Sequence, residues 1–157
     1  MKTPLISLLS LLLFLLTGCA HLISERSLAL ADRSITFSRL RENPDAFRGR
    51  FVLLGGSIAA LTTGREGSRL EVVQHDLDDR GVPKTASASG GRFLATTPDT
   101  LDPADYLPGT PVSMVGEVTG TRVEGDYRYP VIAIREIHAI AAPSEEMYRT
   151  WGPIGGN

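Results

Sequence analysis

The chain has 157 residues, with 16 lysines and arginines against 18 aspartates and glutamates, a formal net charge of −2, 42% hydrophobic residues and one cysteine. This length fits a single domain of ordinary soluble composition. The near balance of charge excludes a basic footprint for nucleic acid, and a lone cysteine excludes an intramolecular disulfide, so stability has to come from packing.

The first nineteen residues carry an address. Lys2 supplies a positive start, residues 5–16 form an apolar run of 12, and Leu16-Thr17-Gly18-Cys19 closes it. This is the layout of a signal peptide, and the run is too short for a spanning helix, which needs about 20 residues. Leu16-Thr17-Gly18-Cys19 also resembles a bacterial lipobox, in which the cysteine sulfur takes a diacylglycerol and cleavage falls just before it. Cys19 is the only cysteine in the chain, which makes the match specific. The expected organisation is a lipoprotein signal peptide over residues 1–18, a lipidated tether over 19–34, a β-barrel domain over 35–151 and a disordered tail over 152–157. Removing the first 18 of 157 residues leaves 139, and the loss of Lys2 takes the net charge from −2 to −3.

In chain order, residues 20–34 mix polar residues with scattered Leu and Ile and read as the tether. Phe37 and Leu40, three apart, predict a helical turn or two. Asn43-Pro44 restarts a second short turn, since proline suits the first helical position. From Arg50 onward strands dominate. Phe51–Leu54 leads through Gly55-Gly56, which predict a bulge or sharp bend, into Ser57–Leu61. After a turn, Arg69–His75 returns with Leu70 and Val72 facing in and Glu71 and His75 facing out. Residues 76–91 form a long polar loop, and Arg92–Thr96 is a third strand. Asp102-Pro103 reads as the cap and first turn of a short helix, ended by Pro108-Gly109. Pro111–Gly120 and Tyr129–Ile140 are the last two strands, and Ser144 is expected to cap a final helical turn reaching Trp151. An all-β chain with this order fits a small five-stranded Greek-key barrel of OB type with short helices. Glycines at Gly55, Gly56 and Gly116 suit the bends of a tightly closed barrel, whereas a sandwich usually has about seven strands.

Several of these stretches together resemble the Slp family of Gram-negative outer-membrane lipoproteins. They include the lipobox at Cys19, Asn43-Pro44-Asp45-Ala46-Phe47-Arg48-Gly49, Gly55-Gly56 and Leu70-Glu71-Val72-Val73-Gln74. Leu77-Asp78-Asp79-Arg80-Gly81-Val82-Pro83, Gly91-Arg92-Phe93-Leu94-Ala95, Leu101-Asp102-Pro103-Ala104-Asp105-Tyr106 and Tyr129-Pro130-Val131-Ile132 continue the match in order. Leu54 stands where many members have tryptophan, and Ala139-Ile140 follows His138 where a Leu-Trp pair is common. The resemblance implies outer-membrane attachment and a link to starvation or acid stress, and with the lipobox at Cys19 the expected location is lipid-anchored on the periplasmic side. It implies no enzymatic activity.

The residues that carry chemistry elsewhere do not assemble into a catalytic pattern. Asp76-Leu77-Asp78-Asp79-Arg80-Gly81 looks like a calcium loop, but the fifth position is Arg80 and the twelfth is Ser87 where ligands are required. His21, His75 and His138 lack the spacing of a three-ligand zinc site, and no serine stands in a Gly-x-Ser-x-Gly elbow. Ser87–Gly91 lacks the strand–loop–helix frame and lysine of a phosphate loop. Single-strand binding needs stacking aromatics over a basic groove, and only 6% of the residues are aromatic. Tyr127, Arg128 and Tyr129 form the candidate contact patch for an envelope glycan, peptide or protein, although closing the barrel end is the simpler role for them. No metal or other cofactor is expected. The reading is a non-enzymatic envelope module, structural or interacting, with a glycan- or peptide-binding module as the alternative and a hydrolase a distant third.

Overall fold

The computed structural model describes residues 22–140. The expected signal peptide, Cys19, His21, the helical turn expected from Ser144 to Trp151 and the expected tail fall on residues outside that range. Among the described residues, two short helices, α1 (Glu25–Leu30) and α2 (Phe37–Glu42), and a 3-10 turn (Pro44–Phe47) precede five strands. These are β1 (Phe51–Gly64), β2 (Gly67–Gln74), β3 (Gly91–Thr97), β4 (Pro111–Glu124) and β5 (Tyr127–Ala139). They close into a barrel in the order β1-β2-β3-β5-β4. All seams are antiparallel except β3–β5, which is parallel and spans Leu94–Val131 to Thr96–Ala133. The expected five-strand OB-type barrel is therefore the fold.

Alternation builds the core. Ser68, Leu70, Val72 and Gln74 of β2 are buried while their neighbours are half-exposed, as a strand with one face inside requires. Leu70, Val72, Phe93, Met114 and Ile132 meet in the barrel interior, each contributing roughly 1.5–3 kcal/mol through burial. Leu54 also faces this core, at 5% exposure, so an aromatic side chain at this position would enlarge the interior rather than a surface. Thr36 caps α2 by accepting from the Arg39 amide. The helix lays Phe37 and Leu40 over the barrel end, with the Phe37 and Phe93 rings 6.0 Å apart.

Gly55 and Gly56 sit where β1 exchanges partners, from β4 (Phe51–Ser57) to β2 (Gly56–Gly64). A Cβ on Gly56 would run into the Val73 carbonyl and the Val72 side chain. The glycines thus permit close approach at the corner, and the register shift itself falls between Ile58 and Ala60. Gly116 lies beside a second shift, in the β4–β5 ladder.

Three expectations need correction. The stretch read as a tether is packed on the barrel from Ile23 onward. Ile23 is 2% exposed, Ser24 caps α1, and Ala31 bridges Phe51. Its apolar stripe is disguised because the position one turn after Ile23 is Ser27, a buried polar residue. The helix expected after Asp102 is absent. Asp102 caps only a turn, its side chain accepting from the Ala104 amide and its carbonyl from Asp105 and Tyr106. Residues 102–105 are exposed and only Tyr106 of the turn packs on the core, so a helix here has no buried face to offset its nucleation. His75, expected to face out, is buried at 8% exposure, its amide donating to the Gly55 carbonyl. The strands also run further than expected at one end, β4 to Glu124 and β5 from Tyr127.

The 76–90 loop folds back over the outside of β1 and β4. Leu77 bridges Pro83 over Gly55, and Ser113 donates to the Gly81 carbonyl. Asp78 ties its turn by accepting from the Arg80 and Val82 amides at 2.9 and 2.8 Å.

Candidate functional site

Strand alternation divides the Tyr127–Tyr129 patch. The two tyrosine rings lie 4.4 Å apart at a tilt of 52°, while Arg128 points to the other side of β5 and is exposed. The Tyr127 hydroxyl accepts from the Arg92 amide at 2.8 Å. The Tyr129 hydroxyl donates to Glu71 at 3.2 Å, and the same carboxylate pairs with the Arg92 guanidinium at 2.7 Å. Burial, then the bond to Glu71, pushes the Tyr129 phenol above its ordinary value. Leu94 shares the outer side of β3 with Arg92 and is only 2% exposed, so that side is covered at Leu94 while Arg92 stays open to solvent. The tyrosines therefore fasten the start of β5 across β3 to β2, and their hydroxyls are already engaged.

His138 lies 3.0 Å from Glu136, which also accepts from the Ser24 hydroxyl. A serine-based triad places the histidine between serine and carboxylate. Here the carboxylate stands between the other two, so no base faces the hydroxyl. The Ser24 side chain, followed by Ser27, pulls the Glu136 carboxyl down to about 2. This cluster fastens α1 rather than activating a nucleophile.

One concave region is a seam where the N-terminal segment meets the 76–90 loop. A hollow of about 300 Å³ is lined by Asp32, Thr36, Phe37, His75, Asp76 and Leu77, among others. A second, of about 420 Å³, shares Phe37 and Asp76 with it and adds Arg41 and Ser89. A third, of about 360 Å³, shares Leu77 and adds Ile23 and Leu28. His75 Nδ1 is buried with no hydrogen-bond partner among the described residues. Bonds from Ser34, then the charges of Arg50 and Arg39, hold the Asp32 carboxyl below its ordinary value. Among the described residues no group of three His, Cys, Asp or Glu side chains could hold a metal ion. The seam thus offers mixed donors and acceptors around a small apolar floor.

Compared with known families, residues 16–154 match the Outer membrane lipoprotein Slp family. The chain belongs to that family. The match begins at Leu16 and so takes in the Leu16–Cys19 stretch. No curated protein matches the chain. Among solved structures, the N-terminal domain of PriB protein from Thermoanaerobacter tencongensis, described as dimeric, is similar at 12% identity and a TM-score of 0.34. That likeness covers 59% of this chain and 97% of the PriB domain. The strand order carries the OB-type assignment without it.

This Slp-family lipoprotein resides in the outer membrane, and no helix among its described residues is long and apolar enough to cross a membrane. A larger surface groove, of about 800 Å³, lies between the β1–β2 turn, the end of β3 and Arg122. The arginines there are partnered in part. Arg69 and Arg122 both pair with Glu124, at 3.3 and 2.8 Å. Sequence reasoning missed the seam because its walls come from residues 32–41 and 74–90, distant in the chain. The one signal available was His75 at the end of an alternating strand.

Proposed function

We propose that lipids on Cys19 hold this protein on the periplasmic side of the outer membrane, where it acts as a non-enzymatic structural or interaction module of the envelope under starvation or acid stress. The observation that carries the anchor is the family match reaching back through the lipobox in a chain with a single cysteine. The acid-stress reading is supported by the carboxylates that tie the outer segments down. Asp32, Asp78 and Glu136 are all held below their ordinary values by hydrogen bonds, so they stay ionised as the surroundings acidify. Metabolic labelling with a fatty acid tests the anchor: the natural chain should label and Cys19→Ser should not. Density-gradient separation of membranes tests the sorting. Ala20 follows the anchor cysteine and should permit outer-membrane recovery, whereas Ala20→Asp should retain the chain in the inner membrane.

The second reading is a binding module for an envelope glycan or peptide. It is favoured by the buried His75 Nδ1, without a hydrogen-bond partner among the described residues, at a polar seam, rather than by Tyr127, Arg128 and Tyr129. Saturation-transfer NMR with soluble envelope glycans and peptides should show contact that His75→Ala abolishes. Contact unchanged in that variant would count against the seam.

A further inference from the structure

We propose that the outward face of α1 rests on phospholipid headgroups, so that the barrel stands on its membrane in one orientation with the β1–β2 turn directed away. The proposal rests on lipidation of Cys19. Ile23 is buried against the barrel at 2% exposure, and Ser24 is clasped to Glu136 through both its amide and its hydroxyl. Four residue steps of at most ~3.6 Å separate Cys19 from Ile23, which places Ile23 within about 14 Å of the acylated residue. The headgroup layer itself is roughly 5–8 Å deep on each side. So short a leash leaves the folded domain no freedom to tumble far from the surface.

The face that this leash presents has suitable chemistry. Ile23 and Ser27 turn inward, and the Glu136–Val115 rung lies beneath them, with Val115 at 0% exposure although alternation from Met114 turns it outward. Arg26, Ala29 and Leu30 of α1 and then Arg33 are exposed, Leu30 at 47%. Neither arginine has an ion-pair partner among the described residues. Glu25 is the acid of the first turn, and Asp78 and Asp79 border the hollow that Leu28 and Arg33 line, so the basic character of this face is confined to its two arginines. Guanidinium groups bind phosphate in a bidentate fork, and a short apolar ridge between them suits the boundary between headgroups and acyl chains. The β1–β2 turn lies at the other end of β1 from the strand's contact with the N-terminal segment. From Phe51, which bridges Ala31, β1 runs to Gly64, about 40 Å of strand at 3.3 Å per residue.

Acylation consumes the only native thiol, so one introduced cysteine accepts a fluorophore uniquely. The lipidated protein carrying Ala29→Cys or Glu66→Cys is reconstituted in vesicles of phosphatidylethanolamine and phosphatidylglycerol doped with headgroup-nitroxide lipid. Quenching should be several-fold stronger at position 29 than at position 66. Adding Arg26→Glu and Arg33→Glu should weaken quenching at 29 while the protein still floats with the vesicles. Equal quenching at the two positions in protein that floats overturns the orientation and leaves the anchor standing. Unchanged quenching in the arginine variant overturns the headgroup contact. Failure of the natural chain to float removes the anchor, and the orientation with it.

Discussion

Glu136 accepts from both the amide and the hydroxyl of Ser24, at 2.8 and 2.6 Å. One carboxylate on β5 thereby holds the segment that leads from the membrane anchor into the barrel. Hydrogen bonds to a charged partner contribute more than neutral ones, about 1.5–3 kcal/mol, and the site's partial exposure lowers that range. Glu136→Gln should therefore cost about 1–2 kcal/mol and loosen residues 22–34 ahead of the barrel. Urea unfolding followed by tryptic mapping checks this. Cleavage at Arg26 and Arg33 should rise before the strands are cut.

Acid acts on the same contact with a definite sign. The Glu136 carboxyl is lowered from 4.5 to about 2 in the folded protein. A depressed value gives stability that is complete above the unfolded value and fades as pH falls through the folded one. The fastening should be intact at pH 6, weaken below about 4.5 and be lost near 2. Asp32 and Asp78 shift the same way. Hydrogen exchange across residues 22–34 at stepped pH reads the transition, and release already complete at pH 5 would contradict it.

Two glycines in the same strand should respond oppositely to alanine. A Cβ on Gly56 meets the Val73 backbone, whereas one on Gly64 meets nothing within 4 Å. Gly56→Ala should destabilise by about 1–3 kcal/mol or more, since the strand must move. Gly64→Ala should be neutral or stabilising by about 0.4–1 kcal/mol, through the unfolded chain. Paired thermal melts decide the matter.

Tyr127→Phe separates fastening from ligand contact. It leaves the Arg92 amide without the acceptor it now has at 2.8 Å, at a cost of about 1 kcal/mol. Stability should fall, and binding of envelope glycans or peptides should not change. Lost binding at full stability would return the tyrosines to a recognition role.

The barrel was legible because its signals are local. Alternation in Arg69–Gln74, the glycines at the corner and the Val/Ile density of β5 each mark a strand without knowledge of its partners. Thr121–Glu124 was not legible as strand because its exposed residues extend a ladder beyond the core, where hydrophobicity gives no pattern. Asp102-Pro103 was misleading because a cap signals a start and says nothing of whether a buried face follows it. The packed N-terminal segment and the buried His75 depended on long-range pairing with Glu136, the 76–90 loop and α2. The candidate site was least legible of all, since alternation separated Arg128 from the tyrosines and the seam joins distant residues.

The closing seams also set an order of assembly. The β1–β2 and β4–β5 hairpins turn through two residues each, Arg65-Glu66 and Gly125-Asp126, and such hairpins form in about 1–10 μs. Closure waits on β1 finding β4, with Leu54 opposite Met114, and on the short parallel seam between β3 and β5. Non-local pairings of this kind place small barrels in the millisecond-to-second range. Until β4 is in place, the N-terminal half of the barrel presents the open edge of β1. That edge is a row of unpaired backbone donors and acceptors open to another strand, and the seven-residue pairing of Phe51–Ser57 with β4 is what covers it.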